Sequence, residues 1–362
     1  MIKTKLCDMI GIKYPIIQAG MGPFITNKVC IAAANAGALG IITTSGLVAQ
    51  TASVLDPNLK GDTLYEQVRE FINVVKDGTK KSKGIFGLNV MASAEMGESP
   101  KVIIQAGIDA KKEDPDINDR LRVMITSAGA PDPWADLIKP AGFKWFHVVP
   151  SVRHAKRCEQ SGVDIVIASG QEGGGHVAWE PVHSMILLPA VSKAVSIPVV
   201  GAGGFCDGRS LAAALVLGAV GIQMGTRSIA TYESDFVQAH KDAILERKEN
   251  DTLVARGFVG PLRYLKNQAS VSLAKRTIEV FPGLYMGKAD SVIDPDLLSV
   301  ELEGMEDLVK ENKDKALFYG GEVAGRIENL LTYKELVEEI AREAEEAISS
   351  LSNNIYSDDE VK

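Results

Sequence analysis

The chain lacks the patterns that mark several large classes of protein. Its 362 residues hold four cysteines, Cys7, Cys30, Cys158 and Cys206, with no CxxC pair and no metal-ligand spacing. That pattern excludes a disulfide scaffold or a zinc module and points to buried or free thiols in a reducing compartment. No run of about 18 apolar residues is free of charges and turn signals, so no membrane span is expected. The opening MIKTKLCDMIGIKYP has no apolar signal-peptide core, and a cytoplasmic location is expected. Positive charge is short too: 39 Lys and Arg stand against 47 Asp and Glu, a net charge of −8. An acidic chain repels phosphate backbones, which argues against nucleic acid. GxSxG, GxxxxGK[ST] and HExxH are all missing. Their absence removes hydrolases with a nucleophile elbow, P-loop nucleotidases and one class of metalloprotease. The expected partner is a small-molecule substrate, with neither metal, membrane nor nucleic acid, and a homodimer is left open.

What is present is a rhythm of short apolar runs. There are eight: 15–19 (PIIQA), 38–43 (ALGIIT), 84–90 (GIFGLNV), 122–127 (RVMITS), 144–149 (KWFHVV), 163–168 (VDIVIA), 198–203 (PVVGAG) and 219–224 (AVGIQM). Most are continuous rather than alternating, as in strands buried on both faces of a parallel sheet. Helical segments separate them. NKVCIAAANAG ends on Gly37, VRHAKRCEQSG follows the N-cap candidate Ser151 and ends on Gly162, and DGRSLAAALVLG starts on Asp207 and ends on Gly218. The class is α/β, and eight units favour a closed (β/α)8 TIM barrel over an open doubly wound sheet.

After about residue 230 the strand pattern stops. Residues 231–317 predict a helical lobe covering the active-site face, with stretches such as DFVQAHKDAILERKEN and VSLAKRTIEVF. Helices at about 318–350 then close the barrel of residues 1–230. The last, ELVEEIAREAEEAISSL, sets Leu336, Ile340, Ala344 and Ile348 on one face. The tail SNNIYSDDEVK reads as frayed.

Barrel active sites lie at the carboxyl ends of the strands. Gly20, Met21 and Gly22 follow the first run, Asn89 ends the third, and SGQEGGGH follows the sixth. GAGG places Gly203 and Gly204 after the seventh run, and MGTR places Gly225 and Thr226 after the eighth. The loops after strands seven and eight of a barrel often cradle a phosphate with backbone N–H groups, and a threonine hydroxyl adds a donor. Gly20–Gly22 would lay backbone against a flat ligand, with Met21 adaptable against its face. His176 follows three glycines on the catalytic face, and imidazole suits proton transfer near neutrality. His147 lies within an apolar run and reads as a satisfied core histidine; His154, His183 and His240 need no role. Arg256, Arg263 and Lys266 form either a solvated face or a cationic rim for an anionic ligand.

Taken together, these stretches resemble the nitronate monooxygenase (2-nitropropane dioxygenase-like) family of FMN-dependent barrels, related to the flavin-dependent enoyl-acyl-carrier-protein reductases. The resemblance runs through IIQAGMGPFITNKVCIAAANAGALGII, GQEGGGH, IPVVGAGGFCDGRSLAAALVLGAVGIQMGTRSIAT and YGGEVAGRIENLL. Gly170–His176 is similar to the family's G-x-E-A-G-G-H signature, with Gly173 in place of alanine. The resemblance implies an oxidoreductase that binds FMN, its phosphate on Gly203, Gly204, Gly225 and Thr226. It implies a flavin ring beside Ala19, Gly20, Met21 and Asn89, with Ser169, Gly170, Gly174 and Gly175 also at the cofactor. It places His176 before the substrate as the catalytic residue. The activity implied first is oxidation of alkyl nitronates with O2; the alternative is an enoyl-thioester or quinone reductase using NADH or NADPH. A phosphate-sugar or nucleotide-binding barrel without redox chemistry is the third reading. Ser228, where relatives often carry phenylalanine, is expected to leave a roomier or more polar wall. The SGLVAQTASVLDPNLKGDTLYEQ stretch is expected to reshape the entrance.

Overall fold

The computed structural model describes residues 2–22, 24–50, 52, 59–289 and 295–351. The frayed tail read at 352–362 lies outside them, as does part of the stretch read as an entrance.

All eight apolar runs are strands of one parallel sheet. They are β1 (Ile16–Gln18), β2 (Gly40–Thr43), β3 (Phe86–Met91), β4 (Leu121–Ser127), β5 (Lys144–Val149), β6 (Ile165–Ser169), β8 (Val199–Ala202) and β9 (Ile222–Met224). Their order is β1-β9-β8-β6-β5-β4-β3-β2. A parallel bridge between Ile17 and Leu39 returns β2 to β1, with Gln18 N–H donating to the Leu39 carbonyl at 2.9 Å and Leu39 N–H to Ile16 at 3.0 Å. The sheet therefore closes into a barrel. Inward residues such as Ile17, Ile41, Val123, Phe146, Ile167 and Val200 fill it, and Leu6, Cys7 and Ile10 of a short helix, Lys5–Ile10, join that cluster. The outward residues meet the surrounding helices, so every strand is apolar on both faces. All four cysteines are free and buried.

Local chemistry sets the helix ends. Val152–Ser161 starts where Ser151 Oγ accepts the His154 N–H and stops at Gly162, whose φ of 82° is left-handed. Gly208–Val216 starts in a capping box between Asp207 and Ser210. In the late helix, Tyr333–Ser350, Leu336, Ile340 and Ala344 are buried as expected; Ile348 is exposed, because the last turn runs past the barrel.

The lobe departs from the expectation of a purely helical insert. Thr252–Arg256 (β10) and Pro261–Leu265 (β11) form an antiparallel hairpin, and β11 pairs with the two-residue strand β7, Gly175–His176. The helix Gln268–Val280 packs on β10, and the helices Gln238–Leu245 and Pro295–Val309 belong to the same lobe. All five residues of β11 are buried, so no polar–apolar alternation marks it as a strand. Among the described residues, no helix is long and apolar enough to cross a membrane.

Candidate functional site

The carboxyl ends of the barrel strands and the inner face of the lobe enclose a cavity of about 1090 Å³. Every residue that the sequence nominated for cofactor or catalysis is on its wall. Ala19, Gly20 and Met21 come from β1, Asn89 from β3, and Ser169 and Gly170 from β6. Gly174, Gly175 and His176 follow on the same loop; Gly203 and Gly204 end β8, and Gly225 and Thr226 end β9.

Glycine is required at several of these places. A Cβ on Gly20 would fall 2.6 Å from Cγ of Asn89, so the bare backbone leaves room for that amide. A Cβ on Gly174 would fall 2.5 Å from the Gly321 nitrogen, because two glycine-rich backbones pack face to face there. Gly173 is different: its Cβ would meet nothing closer than 3.3 Å, which is why the related signature accommodates alanine at this step.

Gly203 and Gly204 both have φ of 82°. β8 and β9 are neighbours, so the two glycine ends lie side by side. The Gly321 N–H donates to Thr226 Oγ1 at 2.9 Å, which leaves the hydroxyl proton of Thr226 free for an anion. Of the buried polar atoms without a partner among the described residues, three belong to the cavity wall: Gln223 Oε1, Ser45 Oγ and Ser93 Oγ. Buried polar atoms without partners call for a polar ligand. A flat heterocycle with hydrogen-bonding edges and a phosphate tail, which is a flavin nucleotide, fits this donor set. Sequence reasoning missed these three; the signal was a polar residue within or just past an apolar run, as in the glutamine of AVGIQM.

The loop carrying His176 is pinned along its length. Gly170 N–H donates to Ala202 at 2.9 Å, Gln171 N–H to Val182 at 2.9 Å, and Val177 N–H to Pro261 at 3.0 Å. His176 itself pairs in register with Leu262 of the lobe. Glu172 accepts from Ser184 N–H at 2.9 and 3.0 Å and thereby caps the helix Ser184–Ala194. The carboxylate of the motif is thus used to hold the loop. Arg263 completes the fastening: Nε and Nη2 donate to the Gln171 carbonyl at 3.1 and 3.0 Å, and Nη2 pairs with Glu322 at 3.0 Å.

Among the described residues the His176 ring has no hydrogen-bond partner, and it is exposed to the cavity. Protein still surrounds it, and desolvation pushes its pKa down to about 4. The imidazole is therefore neutral near pH 7. His147 is buried, with Nδ1 2.6 Å from Thr126 Oγ1, and it also lines the cavity, as does His154, for which no role was expected. His240 is buried and its Nε2–H donates to the Tyr319 carbonyl at 2.7 Å.

Two expectations change. Ser228 does not shape the cavity: it is fully buried, its Oγ donates to Met224 at 2.8 Å, and the Tyr333 hydroxyl lies 3.2 Å away. Tyr333 therefore occupies the space beside it. Arg256 and Arg263 form neither a solvated face nor a rim, because both are buried and only Lys266 of that trio is exposed. Arg256 lies over the Trp179 ring, 5.0 Å from its centroid.

A closed parallel barrel with a large cavity at the carboxyl ends of its strands has the architecture of a TIM-barrel enzyme. A family model described as nitronate monooxygenase matches residues 3–343, and the chain belongs to that family. Among its relatives is a (3aS,4S,5R,7aS)-5-hydroxy-7a-methyl-1-oxo-octahydro-1H-indene-4-carboxyl-CoA dehydrogenase of Rhodococcus jostii. The two are 30% identical, over 97% of this chain and 98% of the relative. A probable nitronate monooxygenase of Staphylococcus aureus is 31% identical over 72% of this chain and 77% of its own. The structure of FabK from Thermotoga maritima superposes with a TM-score of 0.80 and 27% identity, covering 98% of this chain and all of that one.

Proposed function

We propose that the protein is an FMN-dependent oxidoreductase that oxidises alkyl nitronates with O2, with His176 as its catalytic base and anion holder. The observation that carries this reading is the free, neutral His176 ring on the wall of a cavity with a ready phosphate cradle. Gly203, Gly204, Gly225 and Thr226 would hold the phosphate, and Asn89, Gln223 and Ser45 would meet the ring edges. The bound flavin supplies the electron acceptor. A neutral imidazole can take the proton from carbon only where a neutral nitroalkane, not its nitronate, enters the site. Its N–H can equally hold a nitronate, and that negative charge raises the ring's pKa once it is bound.

A second reading is an acyl-thioester or quinone oxidoreductase that uses NADH or NADPH. The cavity supports it, since about 1090 Å³ lies at the top of the ~300–1,000 Å³ range of small-molecule pockets. So does the kinship with a dehydrogenase of a fused-ring CoA ester. Anaerobic mixing of the FMN-loaded protein with propan-2-nitronate, NADH or NADPH separates the two. Bleaching of the flavin by nitronate, and slower or no bleaching by either nicotinamide, is expected. Rapid bleaching by a nicotinamide with none by nitronate would replace the first reading by the second.

A further inference from the structure

A buried carboxyl group on the lobe lines the same cavity as His176. Glu301 lies on the helix Pro295–Val309, and its residue is only 8% exposed. It lines the cavity together with Tyr319, Trp179 and Phe258. Oε1 accepts the Phe258 N–H, which fixes the carboxyl against the turn between β10 and β11. That turn is continuous with Leu262, the register partner of His176. Glycine at 257 makes the arrangement fit, since a Cβ there would strike both Leu262 and Glu301 Oε1. Among the described residues, Oε2 has no hydrogen-bond partner.

We propose that Glu301, as a neutral carboxylic acid, donates a hydrogen bond to the nitronate oxygen that carries the substrate's negative charge, in the cavity it shares with His176. This rests on the nitronate reading proposed above. It requires no further reactant: no bond is made or broken at Glu301, whose proton stays shared with the nitronate oxygen. The charged and titratable groups around Glu301 are Arg256 on β10, Tyr264 on β11 and Tyr319. Arg256 favours the carboxylate. Burial outweighs it and pushes the Glu301 pKa up to about 7, while the two phenols sit well above their usual range and stay neutral. Glu301 thus holds a proton over a pH range in which the His176 ring does not.

The test uses the FMN-loaded protein with E301Q and E301A. Glutamine keeps an oxygen for Phe258 and an N–H for the substrate at every pH. Infrared difference spectra of the wild type should show a carboxylic-acid carbonyl band that disappears as pH rises through about 7 and is missing from E301Q. Anaerobic affinity for propan-2-nitronate, read from the flavin spectrum, should weaken at least ~10-fold above that pH in the wild type but stay flat in E301Q. E301A should lose ~10²-fold in kcat/KM, the usual size for one oxyanion donor. A wild-type pH profile in E301Q, undiminished kcat/KM in E301A, or no titrating carboxyl band would each overturn the proposal. Failure of the nitronate reading alone would appear differently: the band would titrate and E301Q would remove it, while nitronate would neither bind nor reduce the flavin.

Discussion

Replacing His176 by alanine lowers turnover by ~10²-fold or more while FMN stays bound, since general acid–base catalysis typically contributes that much. The expectation follows from where the ring is held. No side chain uses it, so its removal strands no buried partner. The loop is fastened through backbone: Val177 N–H to Pro261 at 3.0 Å and the register of His176 with Leu262 both survive truncation. Gly175, with φ of 71°, turns the chain just before the ring and is untouched. The variant should therefore fold and bind flavin as the wild type does, with the loss confined to the chemical step. Steady-state turnover beside flavin content measures it. Equal turnover would make His176 structural, and loss of flavin together with activity would place its role in the cofactor site.

Arg263→Ala should have the largest effect on stability. The side chain is 8% exposed and serves three partners: the Gln171 carbonyl twice, Thr252 Oγ1 at 2.8 Å and Glu322. Truncation leaves the Gln171 carbonyl without its donors and a carboxylate beside a void. Breaking such a buried charged group costs about 2–4 kcal/mol. The position also matters for catalysis. Arg263 ties the lobe hairpin to the start of the loop that ends in His176, and Glu322 N–H donates to Glu172 at 3.0 Å on the same loop. Without the tie the ring shifts, and a displacement of about 1 Å can cost ~10²-fold in rate. Chemical unfolding and kcat, measured on the same preparation, check both effects. Lysine at 263 should recover little, because one ammonium cannot reproduce the planar fork. A variant as stable and active as the wild type would show that the lobe does not position the loop.

The barrel was legible because each strand is buried on both faces, which leaves an uninterrupted apolar run that turn residues bound. The site was legible for a related reason. Gly20, Gly174 and Gly203 stand where backbone meets a side chain or another stretch of backbone, and glycine alone allows that. The lobe hairpin was not legible. β7 is Gly175–His176, two residues with no strand preference, and β11 is buried on every side, Arg263 included. Its pairing is written in tertiary contacts rather than in a local period. Glu301 was hidden likewise: nothing in DLLSVELEGMEDLV distinguishes the carboxyl that turns inward from those that face water.

The central claim is that the ends of β8 and β9 form the phosphate cradle of a flavin site. Titrating the flavin-free protein with FMN and with riboflavin, followed by quenching of flavin fluorescence, tests it directly. FMN should bind at one per chain and at least ~10²-fold more tightly than riboflavin, the difference expected from two or more hydrogen bonds to a charged phosphate. Equal affinity for the two, or no binding of either, would contradict the account.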